Sequence, residues 1–375
     1  MRIFQLSVAT LLAAVQPILA NTVIVPPGAV AGESIGQWTA GAQGFDAPKA
    51  QPINSTAYDW WYFDIVASSQ DNDTAGLASF VVVFYTATAG GFTPLISLAQ
   101  NGYSSVDLVQ ITAGDGNGTT FEAFLNGTQA TLTTCGDFTR GAFVGDAGAA
   151  NFSGSSDLSF YKVTIDAPEL GIVGSLELKS IAPPHYAGGV AFEGQDMQIA
   201  PHLGWANAVP DSAGNANFVI EGQDFNITGY GYHDKNWGVT SFAAAVNSWY
   251  WGHGRLGEYS VVWFDYLGPA GEKSVSAYVA QDNNILVAEP SGIQVRPIGE
   301  NSTYPPLSTT GAPGGFHVDV DVAEGTLPFD VVGKEIIQGS SSGAYTRWVG
   351  WMTGGLNNAT DLQGAALYEQ FAFAS

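Results

Sequence analysis

Three side chains able to hold or move a proton stand in a row at His233, Asp234 and Lys235, inside the stretch Gly-Tyr-Gly-Tyr-His-Asp-Lys-Asn-Trp-Gly at 229–238. An imidazole, a carboxyl and an amine there could serve general acid–base chemistry or orient a bound carbonyl group. Read as a strand, the stretch puts Tyr230, Tyr232, Asp234 and Asn236 on one face and His233, Lys235 and Trp237 on the other. Apolar and aromatic segments flank it, so polar groups on both faces need partners or a wet cavity. Two readings follow: a polar strand end in which His233 and Asp234 tie down a turn, or the wall of a ligand chamber.

More acids lie in apolar surroundings. Asp59, Asp64, Asp265 and Glu369 each interrupt an aromatic or aliphatic run, where burial would raise a carboxyl pKa. Arg347 stands beside Trp348, and His253 closes Trp249-Tyr250-Trp251-Gly252-His253. The five histidines at 185, 202, 233, 253 and 317 show no HxH or HExxH spacing. Satisfied core histidines are therefore preferred over metal ligands, and neither metal nor cofactor is expected. Gly252 to Gly257 spells GxGxxG but leads into a strand, whereas dinucleotide binding needs a helix N-terminus. Gly339 to Gly343 spells GxSxG, better read as a flexible turn than as a nucleophile elbow.

The tryptophans decide between the two readings. Trp60, Trp61, Trp237, Trp249, Trp251, Trp263, Trp348 and Trp351 fall in a few segments, each with a polar neighbour. A plain core favours Leu, Ile and Val; this pattern suits a cavity for a large, flat or conjugated apolar ligand with a few orienting hydrogen bonds. A Trp-rich barrel core is the alternative.

The elements that must position these groups read as strands. Tyr58 to Val66 has aromatics on both faces, hence burial on both, and Leu77 to Thr86 reads as a central strand. Short strands follow at 106–112, 119–125, 129–134, 158–165 and 172–181, separated by Gly/Asp/Asn turns. A looser region at 183–217 precedes renewed strand patterning from Phe218, which sets an expected domain boundary near residue 215. Strands recur at 258–267, 274–280, 316–322, 345–352 and 367–373 around a Pro/Gly/Ser-rich excursion at 289–315. No amphipathic helix interrupts them, so the fold class is all-β, a sandwich or barrel.

Composition narrows the partners. The 375 residues carry 47 glycines, 11 Lys plus Arg and a formal charge of −23. That leaves no basic footprint for nucleic acid or anionic membrane. Arg2, the apolar run from Ile3 to Val15 and small Ala20 predict a signal peptide over 1–20, and no membrane anchor is expected. Sequons at Asn54, Asn72, Asn117, Asn126, Asn151, Asn226, Asn301 and Asn358 agree with a secreted glycoprotein. Cys135 is the single cysteine, so no internal disulfide can form.

Trp61-Tyr62-Phe63-Asp64, Gly231-Tyr232-His233-Asp234-Lys235-Asn236-Trp237-Gly238, and Trp249-Tyr250-Trp251-Gly252-His253 followed by Val262-Trp263-Phe264-Asp265 together resemble the lipocalin-like fungal Diels-Alderases, relatives of the carotenoid 1,2-hydratase superfamily. The resemblance implies an N-terminal β-sandwich-like domain (21–215) and a C-terminal lipocalin-like barrel (216–375), with a substrate pocket between them. It also implies a cofactor-independent pericyclase performing a [4+2] or hetero-Diels–Alder cycloaddition on a polyene or quinone-methide substrate. Such a reaction needs near-attack geometry and donors aimed at developing charge rather than a nucleophile. Under it Trp61, Tyr62, Trp237, Trp249, Trp251 and Asp265 bind the substrate, His233, Lys235, His253 and Arg347 are donors, and Asp234 or Glu369 is an acid or base for a preceding dehydration. A hydratase or dehydratase, or a non-catalytic carrier, stays open beside it.

Overall fold

The computed structural model describes residues 20–41, 44–68, 77–339 and 344–373. The predicted signal peptide up to Leu19, the Asn72 sequon and most of the Ser-Gly run at 339–343 lie outside them. The described chain is almost wholly β, and it forms two large antiparallel sheets.

The first sheet closes. Its strands run in sequence from Tyr58–Ala67 through Ser79–Ala87, Asp107–Gly114, Thr120–Cys135, Phe138–Gly145, Gly148–Gly154, Phe160–Ala167 and Ile172–Ser180 to Leu203–Ile220 and Gln223–Gly238. Ile172–Ser180 pairs with Leu203–Ile220, and Gln223–Gly238 pairs back onto Tyr58–Ala67, so no edge remains in this ten-strand circuit. The second sheet holds nine strands from Ser248–Leu256 to Leu362–Ala372. It stays open but curls around its own core of Tyr250, Trp263, Phe316 and Trp348.

The all-β, two-unit architecture with a cavity between the units is as expected. Closure, however, belongs to the N-terminal unit, where a sandwich was expected, and the C-terminal unit is the curled half-barrel. The division also moves. Residue 215 lies inside Leu203–Ile220, which is paired on both sides, and the chain leaves the barrel only after Gly238. The irregular look of 183–217 has a local cause: the pairing of Leu203–Ile220 shifts register between Asn207 and Ser212, around Pro210, which has no N–H to give the ladder. Thr120–Cys135 is likewise one strand, with a bulge at Gly127 that had split it in the sequence.

Both faces of Tyr58–Ala67 are buried because each meets a different core. Trp61, Phe63 and Ile65 point into the barrel. Trp60, Tyr62 and Val66 point outward, where Trp249, Trp251 and Phe264 of the curled sheet cover them. The same split holds along Gln223–Gly238: Trp237 joins the barrel core and Tyr232 the seam between the sheets. Close packing fixes some glycines. A Cβ on Gly204 would stand 2.1 Å from the Trp237 ring.

Candidate active site

Alternation sorts the predicted site residues into two buried systems that share strands but not a cavity. His233 and Lys235 face the barrel interior. Lys235 Nζ meets Asp59 Oδ1 at 2.5 Å with both side chains wholly buried, and it lies over the rings of Trp61 and Trp237 at 4.6 and 4.9 Å. The other Asp59 oxygen accepts the backbone N–H of Lys49 at 2.5 Å and of Ala50 at 3.3 Å. His233 uses Nε2 for Asp46 Oδ2 at 2.9 Å and Nδ1 for the Tyr62 carbonyl at 2.8 Å, stacked on Phe63. The Trp61 indole donates to the Asp46 carbonyl and the Trp237 indole to the Gln37 carbonyl.

Burial pushes the Asp59 carboxyl up and the Lys235 amine down, each partly offset by its partner's charge. For Asp46 burial also pulls upward, but His233, Tyr161 and Lys235 outweigh it and hold the carboxyl low. This system seals the barrel by pinning the arm that carries Asp46 and Lys49. The structure thus takes His233, Lys235, Trp61 and Trp237 out of the cavity. Asp265 lies outside it too, bonded to Arg296 and Tyr304 at 3.2 Å each.

The second system lines a cavity of about 430 Å³ between the outer barrel wall and the curled sheet. This volume suits a small organic ligand. Of the residues singled out in the sequence, Asp234, Tyr62, Trp249, Trp251, Arg347 and Glu369 border it. Trp60, Tyr85, Gln110, Glu122, Asn236, Gln338 and Tyr345 border it as well. The signal for these was polar residues at alternate positions in strands too apolar to face water.

Asp234 sits at one side. Its Oδ2 accepts the Trp205 indole N–H at 2.7 Å and the Tyr232 hydroxyl at 2.8 Å, while Oδ1 has no hydrogen-bond partner among the described residues. Burial raises this carboxyl to about 7, the two donors and His233 pulling the other way. Near neutrality it is an acid that can still give up its proton.

Arg347 and Glu369 sit at the other side. The guanidinium reaches Glu369 Oε2 at 3.1 Å and Gln338 at 3.0 Å, and Tyr345 adds its hydroxyl to the same carboxylate oxygen at 3.0 Å. Burial pushes Glu369 upward, against the pull of Arg347 and Tyr345. Arg347 also lies 5.0 Å over the Tyr62 ring. A side-chain chain continues along the wall: Gln338 to Glu122 at 3.2 Å, Gln110 to Glu122 at 3.1 Å and Tyr85 to Gln110 at 3.2 Å. The indole N–H of Trp249 is directed at Glu369 and that of Trp251 at Tyr232, both short of a well-formed hydrogen bond.

His253 lies beneath this cavity rather than in its wall. Its Nε2 meets Asp64 Oδ2 at 2.8 Å, and its ring stacks on Tyr232. Among the described residues no group of three His, Cys, Asp or Glu side chains could hold a metal ion.

An aromatic cavity between two β units, holding one acid near neutral pKa and one buried Arg–Glu pair, is the frame in which the comparisons fall. Residues 28–292 match the model of the Diels-Alderase-like family, and the chain belongs to that family. It is 34% identical over 336 residues to the quinolone epoxide rearrangement protein penF of Penicillium thymicola, covering 88% of this chain and 89% of that one. A second protein described in the same words, asqO of Emericella nidulans, is 33% identical over 333 residues, 88% of this chain and 87% of that one. Among solved structures, CghA with Sch210972 superposes with a TM-score of 0.73 at 16% identity over 94% of this chain and 99% of that one, a likeness of fold. The relatives are enzymes acting on small molecules, and cyclase- or pericyclase-type chemistry in fungal metabolite biosynthesis is the class they support.

Proposed function

We propose that this protein isomerises a planar, epoxide-bearing heteroaromatic compound by acid-promoted ring opening inside the cavity. Asp234 carries the reading: a buried carboxyl with one oxygen free of partners on the cavity side and a pKa raised to about 7. The proton passes from Asp234 to the epoxide oxygen as one C–O bond breaks heterolytically. A substituent or a π bond then shifts to the electron-poor carbon, and the proton lost from the product returns to the carboxylate. Atoms balance as an isomerisation, with no external oxidant or reductant.

The walls suit the charge that develops. Trp60, Tyr62, Trp249 and Trp251 line the cavity with polarisable aromatic rings, and the Arg347–Glu369 pair adds a fixed dipole. The full-length similarity to two quinolone epoxide rearrangement proteins supports the same chemistry.

A [4+2] cycloaddition is the second reading. Membership of the Diels-Alderase-like family favours it, and so do the indole N–H groups of Trp249 and Trp251 at the cavity wall, which could bind a dienophile carbonyl or a quinone-methide oxygen. The two separate by substrate and by variant. With an aryl quinolone epoxide at neutral pH, the first reading expects rapid, single-product rearrangement that Asp234→Asn abolishes. Turnover of a linear polyene by both wild type and Asp234→Asn, with no action on the epoxide, would replace it by the second. Binding without turnover of either would leave a carrier.

A further inference from the structure

We propose that Asn236 reads the cis-amide edge of a lactam ring, so that the preferred ligand is a heteroaromatic with a free ring N–H beside its carbonyl. The inference rests on the rearrangement reading above and names what that site recognises.

Asn236 follows Asp234 by two residues, so both side chains leave the strand on the cavity side, about 7 Å apart along it. Asn236 is 2% exposed. Its Nδ2 donates to the Gly204 carbonyl at 3.3 Å. A carbonyl only accepts, so this bond decides which end of the carboxamide is nitrogen. What it leaves over is specific: no second hydrogen bond from Nδ2 and none to Oδ1 among the described residues. Oδ1 is not sealed off but open to the cavity, where a ligand can complete the amide.

The idle pair selects its partner. Donor and acceptor side by side on one carboxamide match the acceptor and donor of a cis lactam, which forms two parallel hydrogen bonds with it. A lactone offers no donor, and an N-alkylated lactam puts a methyl group where Oδ1 needs a hydrogen. Trp60, directly across the strand pair from Asn236, also borders the cavity and gives it an aromatic wall beside that amide. A ring seated on Asn236 projects its remaining substituents along the wall toward Asp234.

The test is equilibrium binding, which needs no turnover. A phenyl-substituted quinolin-2(1H)-one and its N-methyl derivative are titrated into the wild type, following tryptophan fluorescence. At least about tenfold tighter binding of the N–H compound is expected, and Asn236→Leu should erase that preference. Asn236→Ala, which adds neither charge nor bulk, removes donor and acceptor together and should erase the preference as Asn236→Leu does. Equal binding of both compounds by wild type would overturn the role of Asn236 and leave the rearrangement reading standing. A preference surviving in Asn236→Leu would overturn it equally. Failure of both compounds to bind would remove the inference together with the reading beneath it.

Discussion

The Nε2 of His253 lies 2.8 Å from Oδ2 of Asp64, and this contact crosses from the curled sheet to the barrel. The same oxygen accepts the Tyr62 hydroxyl at 2.8 Å. The His253 ring stacks on Tyr232 at 4.2 Å, and the Tyr232 hydroxyl ends on Asp234. Docking of the two sheets and orientation of the cavity acid therefore share one side chain. His253→Ala leaves the buried Asp64 without its cross-sheet partner and should lower unfolding free energy by about 3 kcal/mol, measured by urea titration. An unchanged midpoint would mean that apolar contacts alone dock the sheets.

Lys235 gives a contrasting expectation, because its charge is spent inside the barrel. Lys235→Met removes the counter-charge of the buried Asp59 carboxyl and leaves it only the Lys49 and Ala50 N–H groups, and a loss of about 3–5 kcal/mol is expected. Adding Asp59→Asn, which keeps an acceptor for the Lys49 N–H, should recover much of it, a coupling read from the double-mutant cycle. The folded fraction of Lys235→Met should keep its kcat. A kcat loss beyond the unfolded fraction would bring Lys235 back into the chemistry.

How far the sequence discloses this arrangement depends on the contact that sets each feature. The alternation along 229–238 places Asp234 and Asn236 opposite His233 and Lys235, and the described strand keeps that split. What period two cannot tell is which face meets a cavity and which a sealed core, because both are buried. That depends on Asp46 and Lys49, which arrive from an arm of irregular chain and neutralise one face. Closure of the first barrel was hidden for a related reason. It is made by pairing Ile172–Ser180 with Leu203–Ile220, a strand whose bulges and Pro210 break the pattern that announces strands. Gly148–Gly154 and Phe138–Gly145, rich in small residues, also give little hydrophobic signal, yet both complete the circuit.

Entry into the secretory pathway is a proposal that the sequons make testable one by one. Asn117 stands exposed in the turn before Thr120–Cys135, whereas Asn151 lies half-buried within Gly148–Gly154, paired on both sides. In chain secreted from a eukaryotic host, Asn117→Gln should remove the mass of one glycan and leave the melting temperature unchanged. Asn151→Gln should remove no mass. Intact-mass spectra before and after endoglycosidase treatment decide, and an unglycosylated chain retained inside the cell would overturn the proposal.

Asp234 supplies the expectation with the clearest sign. Burial pushes its folded pKa up to about 7, well above the ordinary carboxylate range. Below pH 7 the folded protein holds the proton, and above it the acid is progressively lost. If ring opening draws on that proton, kcat/KM should be flat below pH 7 and fall about tenfold per unit above it. Stability follows the same proton. Between pH 4 and 7 the unfolded chain has released what the folded chain keeps, so Asp234 makes stability decline as pH rises through that window. Asp234→Asn should cut kcat/KM at pH 6 by about 10²–10⁴-fold, the range of a lost general acid, and remove its share of the stability slope. The two readouts test different links. A variant that loses the stability slope but keeps both activity and its decline above pH 7 would leave Asp234 as a buried acid of the seam and move the proton donor to Glu369.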